Sequence, residues 1–464
     1  MPLFSEILQN KFEHKPTSSQ KGLFKSLDKF IDTKDKKSTF ILKGYAGTGK
    51  TSVLAALTKT LPLFNYQFVL LAPTGRAAKV ISQYSKRTAY TIHRKIFKTK
   101  GSKDLSGPVF TKAKNYHSKT IFIVDEASMI STISEVGEDL LGSLIDFVFE
   151  NDTNKLLLVG DVAQLPPVFQ ETSYALEPSY LESNYNLNTA VSILTDITRQ
   201  ALDSGILINA TNIRNALSTE NPSLSITTKN HQDIYRMTSQ RLEDGLRYAH
   251  DKYGIENSIV ICRSNKNAVM YNHFIRNQLL YKEDELDAGD ILLIARNNYI
   301  YASDQVPSGF LANGDFIEIL KIKKTEEIYD LRFADIQVKL LDYPEGQPIE
   351  IKIILDTLHE HSPALSQEKY RKLYNYVIED YKDLTKTKQK EAIRSDKYLN
   401  AIQVKYAYAL TCHKSQGGQW DSVFVDQGYI PDQKIDHEFL RWVYTAITRA
   451  KNELFLVNFD KQFF

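Results

Sequence analysis

The stretch TFILKGYAGTGKT, residues 39–51, decides the fold of the first part of the chain. An unbroken apolar run leads into the pattern G-x-x-x-x-G-K-T, and helix-like residues 52–60 follow it. Glycines let backbone N–H groups turn inward around phosphate oxygens, and the N-terminus of a helix adds partial positive charge. We interpret the stretch as a strand, a phosphate-binding loop and the start of a helix; a glycine turn without a ligand is the alternative. The predicted nucleotide contacts of this loop are Gly44, Ala46, Gly47, Thr48, Gly49, Lys50 and Thr51.

Three further apolar runs, at residues 68–73, 120–126 and 155–161, each end in polar or glycine residues. Strands that are buried on both faces of a parallel sheet have this pattern. Strands that alternate with helices predict a doubly wound α/β domain, whose ligand lies beyond the carboxyl ends of the strands.

Acidic and amide side chains follow two of these strands. In IVDEAS, Asp125 is predicted to hold Mg²⁺ together with Thr51, and Glu126 to orient and deprotonate the attacking water. Lys50 is predicted to reach the β- and γ-phosphates. In VGDVAQLPPV, Gln164 is predicted to sense the γ-phosphate; a polar turn before two prolines is the alternative. These parts predict hydrolysis of a nucleoside triphosphate such as ATP, and they do not reveal what the energy does.

Length and composition set limits on the class of protein. A chain of 464 residues is too long for one ordinary core, and about two to four folding units are expected. The formal charge of +2 means that any basic surface for nucleic acid is local. The 2 cysteines cannot form a disulfide framework or a zinc cluster, and we expect a reducing, cytoplasmic location. No apolar run is long enough to span a bilayer, and no signal core begins the chain.

The rest of the chain shows where domains begin and end. Residues 95–118 are basic with isolated aromatics and predict a small insertion, whereas a second α/β region begins near residue 204. The pattern becomes β-like at 288–358, and 366–398 are charged and helical, so a mixed insertion interrupts the second α/β unit. The predicted domains are a first lobe at 1–94 and 119–203 with its insertion at 95–118, and a second lobe at 204–310 and 401–464 with its insertion at 311–400.

A second polar cluster, LTCHKSQGGQW at residues 410–420, follows a strand far from the phosphate loop. It precedes VYTAITRAK, in which Arg449 lies on an otherwise apolar helix. A lone arginine on a helix is usually a solvated charge. Here Arg449 is predicted to reach a phosphate across a cleft, as an arginine finger does. Because the second lobe has no phosphate loop, both lobes would share one nucleotide and would move against each other during hydrolysis.

Taken together, the motifs of the chain resemble those of a known family. The ordered set GYAGTGKT, APTGRAAK, TIHR, VDEAS, GDVAQLPPV, LTCHKSQGGQW and VYTAITRAK is similar to the motifs of superfamily 1 helicases, above all the RecD/Dda branch. The resemblance covers both lobes. It implies two RecA-like lobes, a pin in the first insertion, an SH3-like β domain with a helical extension in the second, and movement from 5′ to 3′ on single-stranded DNA.

The resemblance also implies roles for particular residues. Gln20 would read adenine, Arg199 would be a second arginine at the phosphates, and Gln416 and Gly418 would face the nucleotide. The implied DNA contacts are Pro73, Thr74, Arg76, Thr91, His93, Thr411, His413 and Lys414. Hydroxyl, imidazole and ammonium groups contact phosphates without reading the base sequence, which suits a motor. His93 as a turn residue is the alternative. The wedge residue of the pin would be Phe110, with Phe97 as its rival.

One departure from the RecD motifs narrows the choice of branch within the family. RecD proteins continue HKSQG with a small residue and a glutamate, whereas Gly418 and Gln419 stand here, which favours the Dda type. We predict an ATP- and Mg²⁺-dependent DNA helicase, monomeric in its basic unit. It would act on single strands and single-strand/duplex junctions in replication, recombination or repair, beside proteins of those pathways. The alternatives are a translocase that strips proteins without separating duplex, and a switch ATPase that does not need nucleic acid.

Overall fold

The computed structural model describes residues 2–100, 109–133, 139–198, 203–298, 311–341, 343, 346–430 and 435–464. At residues 98–100 and 109–110 it describes the backbone alone. Arg199, predicted as a phosphate contact, therefore lies outside the described residues, and so does the side chain of Phe110, the predicted wedge.

The first lobe is built on a parallel sheet. Its elements are α1 (Phe4–Lys11), α2 (Ser18–Asp32), β1 (Ser38–Gly44), α3 (Lys50–Thr60), β2 (Gln67–Ala72), α4 (Gly75–Ser85), β3 (Ala89–Thr91), α5 (Ile92–Ile96), β4 (Phe97–Lys100), β5 (Val109–Lys112), β6 (Thr120–Val124), α6 (Leu140–Val148), β7 (Lys155–Gly160), α7 (Pro178–Tyr185) and β8 (Asn188–Leu194). The sheet order is β3-β2-β6-β7-β1-β8, and its paired strands are parallel. The predicted strands are therefore present, and their carboxyl ends meet at one edge.

Apolar side chains cover both faces of this sheet. One core lies under α1 to α4 and includes Phe40 and Leu57, and another lies under α5 to α7 and includes Ile41 and Leu144. Successive residues of β1 thus point into opposite cores, as alternation along a strand requires. This explains why the three central residues of β1, Phe40, Ile41 and Leu42, are all apolar.

The second lobe has its own parallel sheet in the order β16-β10-β17-β18-β9. The elements from residue 205 onward are α8 (Gly205–Ala216), β9 (Ile234–Met237), α9 (Leu242–Tyr253), β10 (Ser258–Cys262), α10 (Asn265–Phe274), β11 (Ile291–Ile294), β12 (Phe316–Ile328), β13 (Leu331–Leu340), β14 (Ile349–Ile354), α11 (Gln367–Asp380), α12 (Lys386–Ser395), β15 (Ile402–Tyr406), β16 (Ala409–Thr411), α13 (Cys412–Ser415), β17 (Trp420–Asp426), α14 (His437–Ile447) and β18 (Ala450–Val457).

Strands β11 to β15 form a small closed barrel, and this corrects a predicted boundary. The insertion was expected at 311–400, but the barrel also uses β11 and β15, on either side of that range. Pairing of β11 with β15 closes the barrel and leaves no open edge. Barrel and second lobe share one apolar core that includes Ile317 and Val425.

The other inserted elements are smaller. Strands β4 and β5 form an antiparallel hairpin within the predicted pin at 95–118. Helix α11 packs on the barrel through Leu373 and Val377, whereas α12 has no buried side chain. The predicted fold class, two doubly wound α/β lobes with a β insertion in the second, is confirmed. Across the described ranges, no helix is long and apolar enough to cross a membrane.

Candidate active site

The phosphate loop joins β1 to α3 in the expected conformation. Gly47 and Gly49 have φ of 72° and 81°, in the left-handed region that favours glycine. A side chain at Gly49 would also collide with the chain, because its Cβ would lie 2.7 Å from Nε2 of Gln20. Glycine at position 49 is therefore favoured by the backbone conformation, and a side chain there would also displace the amide of Gln20.

Lys50 is held inside the loop. Its ammonium donates to the carbonyl oxygens of Gly44 at 2.7 Å and Tyr45 at 3.1 Å, and lies 4.0 Å from a carboxylate oxygen of Asp161. These carbonyls are weaker partners for a cation than a phosphate oxygen is. The ammonium can therefore move to a bound triphosphate.

Asp125 and Glu126 lie beyond the end of β6, beside Thr51 in the same cavity. Burial, and then the neighbouring Glu126, raises the pKa of Asp125 to about 7. Oε2 of Glu126 is buried and has no hydrogen-bond partner among the residues that the structure describes, and Glu126 has a left-handed φ of 53°. Buried carboxylate oxygens beside a hydroxyl fit a divalent cation, which would supply the missing positive charge.

Few protein ligands would hold that cation. The described residues contain no group of three or more His, Cys, Asp and Glu side chains that could bind a metal. Mg²⁺ is usually held by one or two carboxylates together with water and substrate phosphates. Thr51 and Asp125 fit this mode of binding, in which the nucleotide completes the site.

Both lobes line one cavity of about 1180 Å³ around the phosphate loop. From the first lobe come Lys50, Glu126 and Gln164, and from the second come Gly418 and Arg449. The two polar clusters, far apart in sequence, thus form a single site.

Arg449 follows α14 and is only 4% exposed. Its guanidinium donates to the carbonyl oxygens of Thr445 at 3.0 Å and Gly418 at 3.3 Å, and to the hydroxyl of Thr448 at 3.2 Å. Among the described residues it forms no ion pair. A buried guanidinium whose partners are neutral, at the wall of a phosphate site, is well placed to receive an anion.

Gln164 lies on the loop after β7 and is 4% exposed. Its Oε1 is buried without a hydrogen-bond partner in the part of the chain that the structure describes. An unpartnered amide on the cavity wall is costly unless a ligand or water completes it. This arrangement supports Gln164 as a ligand contact.

Two nucleotide contacts implied by the resemblance have other partners here. Nε2 of Gln416 donates to the carbonyl of Leu165 at 2.8 Å, so Gln416 joins the two lobes and does not line the cavity. Gly418 does line the cavity. The amide of Gln20 accepts from the N–H of Thr17 at 2.9 Å and donates to the carbonyl of Thr48 at 3.0 Å. Gln20 thus ties α2 to the phosphate loop, and its role with adenine stays a prediction.

The DNA contacts implied for the first lobe lie at the ends of strands. Thr74 and Thr91 cap α4 and α5, their hydroxyls accepting backbone N–H groups at 3.2 and 3.3 Å. Thr91 is buried, whereas Pro73 and His93 are half-buried, and burial lowers the pKa of His93. A buried cap is a structural role, which makes Thr91 the weakest of these contacts.

The contacts of Arg76 differ from the DNA contact that the resemblance implies. Its guanidinium lies 4.5 Å from the ring centre of Phe316 in the barrel and 4.0 Å from that of Trp420 in the second lobe. Stacking on aromatic faces suits the planar guanidinium. In this arrangement Arg76 joins the lobes, so a DNA contact would require the lobes to separate.

The second-lobe contacts cluster at α13. His413 is exposed, Thr411 is the N-cap residue, and Lys414 is half-buried. Burial lowers the pKa of Lys414 to about 8. Lys405 of β15 lines the same small cleft, and burial, then repulsion from Lys414, lowers its pKa to about 8 as well. Two partly desolvated cations in one cleft favour an anion there.

Phe97 is a poor wedge. Its ring is half-buried, packs against the core of the first lobe and lies 6.0 Å from the ring of His93. A residue that splits base pairs must project from the protein. Of the two predicted candidates, Phe110 remains, on the opposite strand of the hairpin.

The sequence interpretation missed Tyr444 and Asp161. The hydroxyl of Tyr444 donates to Asp161 at 2.7 Å and accepts from the N–H of Ala46 at 2.9 Å. Both residues stand in stretches singled out above, VYTAITRAK and VGDVAQLPPV. A tyrosine within an apolar helix was the available signal, because buried tyrosine hydroxyls usually find a partner.

Comparison with known proteins agrees with the two-lobe architecture. The family described as "AAA domain" matches residues 28–170, and the family described as "UvrD-like helicase C-terminal domain" matches residues 406–457. The first match contains the phosphate loop, Glu126 and Gln164, and the second contains Lys414 and Arg449. The two matches therefore cover part of the cavity lining, while its residues between 12 and 21 and between 196 and 207 lie outside them.

Relatives and a solved structure extend the similarity over most of the chain. The RecBCD enzyme subunit RecD of Buchnera aphidicola is 24% identical, over 89% of this chain and 69% of its own length. The ATP-dependent DNA helicase dda of Enterobacteria phage T4 is 23% identical, over 95% and 99%. A structure of Pif1 helicases, described for DNA unwinding at forked duplex DNA, shares the fold with a TM-score of 0.50 at 16% identity, over 97% and 94%. Two other relatives are longer, and the chain spans 36% and 19% of them.

Proposed function

We propose that the chain is a superfamily 1 ATP-dependent DNA helicase of the RecD and Dda type. It would move from 5′ to 3′ on single-stranded DNA and separate duplex at the β4–β5 hairpin. Hydrolysis of ATP between the lobes would drive their closing and opening.

The single observation that carries this proposal is the shared cavity. Lys50 and Glu126 of the first lobe and Arg449 of the second line one space of about 1180 Å³. A nucleotide bound there is contacted from both sides, so its hydrolysis changes the interactions that hold the lobes together. A switch ATPase of one lobe would not need the second wall.

Chemical roles follow from the surroundings of each residue. Lys50 would bind the terminal phosphates, and Glu126, with its buried and unpartnered oxygen, would orient the attacking water and accept its proton. Thr51 and Asp125 would hold Mg²⁺, which neutralises phosphate charge when it is bound. Gln164 and Arg449 would contact the γ-phosphate from opposite walls of the cavity, where developing negative charge is stabilised.

The strand would cross the second lobe at α13. Exposed His413 and the cleft of Lys414 and Lys405 would bind backbone phosphates, with Thr411 beside them. Thr74 and His93 would contact the strand on the first lobe, and Arg76 would do so only after it leaves Phe316 and Trp420. These groups bind phosphates of any sequence, as movement along DNA requires.

The proposal also covers polarity, the pin and assembly. The direction and the wedge role of Phe110 follow the resemblance to the RecD/Dda branch, and the β4–β5 hairpin supplies the element that a pin requires. We propose a monomer that acts at single-strand/duplex junctions, beside replication or recombination proteins. A cytoplasmic location is supported by Cys262 and Cys412, which are free and buried thiols.

One experiment tests the proposal. ATP turnover is measured with and without single-stranded DNA, and unwinding is measured on duplexes with a 5′ or a 3′ tail. We expect DNA to stimulate turnover and only the 5′-tailed duplex to be separated. Stimulated turnover without unwinding of either substrate would favour the protein-stripping translocase. Turnover that ignores DNA would contradict coupling to a strand.

A further inference from the structure

Helix α14 of the second lobe contacts the loop that follows β7 of the first lobe. The hydroxyl of Thr445 accepts the N–H of Leu165 at 2.8 Å, and Arg441 donates to the carbonyl of Val162. Tyr444, the residue before Thr445 on the same helix, donates to Asp161, where the loop begins. The helix therefore determines the position of the loop that carries Gln164.

The hydroxyl of Tyr444 joins three parts of the site. It is buried, with the side chain 1% exposed, and it donates to Oδ2 of Asp161 while it accepts from the N–H of Ala46 in the phosphate loop. Burial, and then the charge of Asp161, raises the pKa of Tyr444 well above its usual value, so the hydroxyl keeps its proton. One oxygen thus links the phosphate loop, the loop of Gln164 and the helix that precedes Arg449.

We propose that Tyr444 is a positioning residue for ATP hydrolysis, which holds the two γ-phosphate contacts in register across the lobes. Gln164 lies three residues after Asp161, and Arg449 lies five residues after Tyr444. The bond between Tyr444 and Asp161 therefore sets the distance between the two contacts. Tyr444 would not touch the nucleotide itself.

Nucleotide binding would increase the need for this bond. Asp161 is fully buried, and its carboxylate accepts hydrogen bonds from the hydroxyl of Tyr444 and from the N–H of Ala163 at 2.9 Å. The ammonium of Lys50 lies 4.0 Å from the same carboxylate. A triphosphate draws Lys50 toward its own oxygens. Asp161 then depends on Tyr444 and Ala163, because a buried carboxylate without donors is strongly disfavoured. Loss of the hydroxyl would therefore let the loop of Gln164 shift when ATP is bound.

The chain contains a matched control. Tyr408 is buried, with the side chain 3% exposed; its hydroxyl donates to Asp290 at 2.8 Å and accepts from the N–H of Ile291 at 3.2 Å. Its bonding pattern is that of Tyr444, but Tyr408 lies where the second lobe meets the barrel, and it does not line the nucleotide cavity. Tyr408→Phe removes the same group, although Asp290 keeps its ion pairs with Arg276 at 2.8 Å and Lys282 at 2.9 Å.

The experiment compares Tyr444→Phe with Tyr408→Phe in the full chain, without DNA. We expect kcat of Tyr444→Phe to fall about 10-fold to 100-fold, because small displacements of positioned groups have effects of this order. The Kd for a non-hydrolysable ATP analogue should stay close to that of the parent protein. Tyr408→Phe should keep its kcat, and its decrease in Tm should be no larger than that of Tyr444→Phe, because Asp290 retains two ion pairs. Unchanged kcat in Tyr444→Phe, or an equal loss in Tyr408→Phe, would overturn the assignment.

A second measurement separates positioning from general weakening. If Tyr444 acts through Gln164, the double variant Tyr444→Phe/Gln164→Ala should be no slower than the slower single variant. Effects on kcat that multiply would contradict action through Gln164. The inference rests on ATP hydrolysis in the shared cleft. If DNA does not stimulate turnover of the parent protein, the proposed motor function is contradicted. The role of Tyr444 can still be judged, because the assays of its variants contain no DNA.

Discussion

The two lobes meet at two seams that use different interactions. At the nucleotide seam, defined by residues 161–165 and α14 with Gln416, buried hydrogen bonds join Tyr444 to Asp161 and both Thr445 and Gln416 to Leu165. At the aromatic seam, defined by Arg76, Phe316 and Trp420, the half-buried guanidinium of Arg76 lies over two rings and donates a long hydrogen bond to the carbonyl oxygen of Gln419 at 3.5 Å.

The difference predicts where the lobes open. Leaving a buried polar group unpaired costs about 1–3 kcal/mol, whereas a cation–π contact at a partly exposed site contributes about 0.5–1 kcal/mol. Water can also solvate Arg76 once it leaves the rings. We expect the lobes to separate first at the aromatic seam and to keep the nucleotide seam until the state of the nucleotide changes.

The largest effect should come from removing the chemistry itself. Lys50→Ala and Glu126→Gln should each lower turnover at least about 100-fold, because positioned acid–base and electrostatic groups contribute effects of this size. Glu126→Gln should still bind ATP, since the amide preserves the shape of the side chain. Turnover and binding of a fluorescent ATP analogue test this. Robust hydrolysis by Glu126→Gln would exclude it as the base.

Arg449→Ala tests the nucleotide seam from the side of the second lobe. We expect about a 10-fold to 100-fold loss of kcat, as charge stabilisation at the γ-phosphate disappears, with ATP affinity nearly unchanged. Arg449→Lys should recover little, because an ammonium lacks the planar set of donors. Measurements of kcat and of the Kd for ATP on both variants test this prediction. An unchanged kcat in Arg449→Ala would show that Arg449 takes no part in the reaction.

Arg76→Ala tests the aromatic seam, and its effect should be smaller. Turnover without DNA should stay within about 3-fold of the parent value, because the estimated loss of a stacking contact is about 1 kcal/mol or less. Stimulation by single-stranded DNA should fall more than this, since Arg76 would contact the strand after opening. Exposed Arg87 on the same lobe gives the control variant Arg87→Ala. Equal loss of turnover with and without DNA would show that the two seams act together.

Lys414→Gln should have the smallest effect, on the salt dependence of DNA binding. The slope of log K against log salt should fall by about 0.7 for one lost phosphate contact on a single strand, while the exposed Lys386→Gln on α12 should leave it unchanged. In the parent protein, affinity should decrease as pH rises through 8, because Lys414 and Lys405, with pKa values of about 8, then lose the charge that phosphate binding favours. Equal slopes for parent and Lys414→Gln would place the strand elsewhere.

Prediction from the sequence gave the correct positions where the contacts are local. The phosphate loop, Asp125 and Glu126 each follow a buried strand, and neighbours in sequence are neighbours in the site. It was less successful for the barrel, whose closing strand β11 (Ile291–Ile294) resembles any short buried strand. The sequence also predicted that Gln416 contacts the nucleotide, whereas this side chain donates a hydrogen bond to Leu165, 251 positions away.

The sequence by itself determined the two lobes, their order, the phosphate loop and three cavity side chains that follow strands, Asp125, Glu126 and Gln164. These depend on periodicity and spacing, which a linear pattern records. Only the tertiary structure decided that Tyr444 bonds to Asp161 and that Arg76 lies between Phe316 and Trp420. Each of these contacts joins residues from different lobes, and it forms because burial in a shared interface forces polar and aromatic groups to satisfy one another.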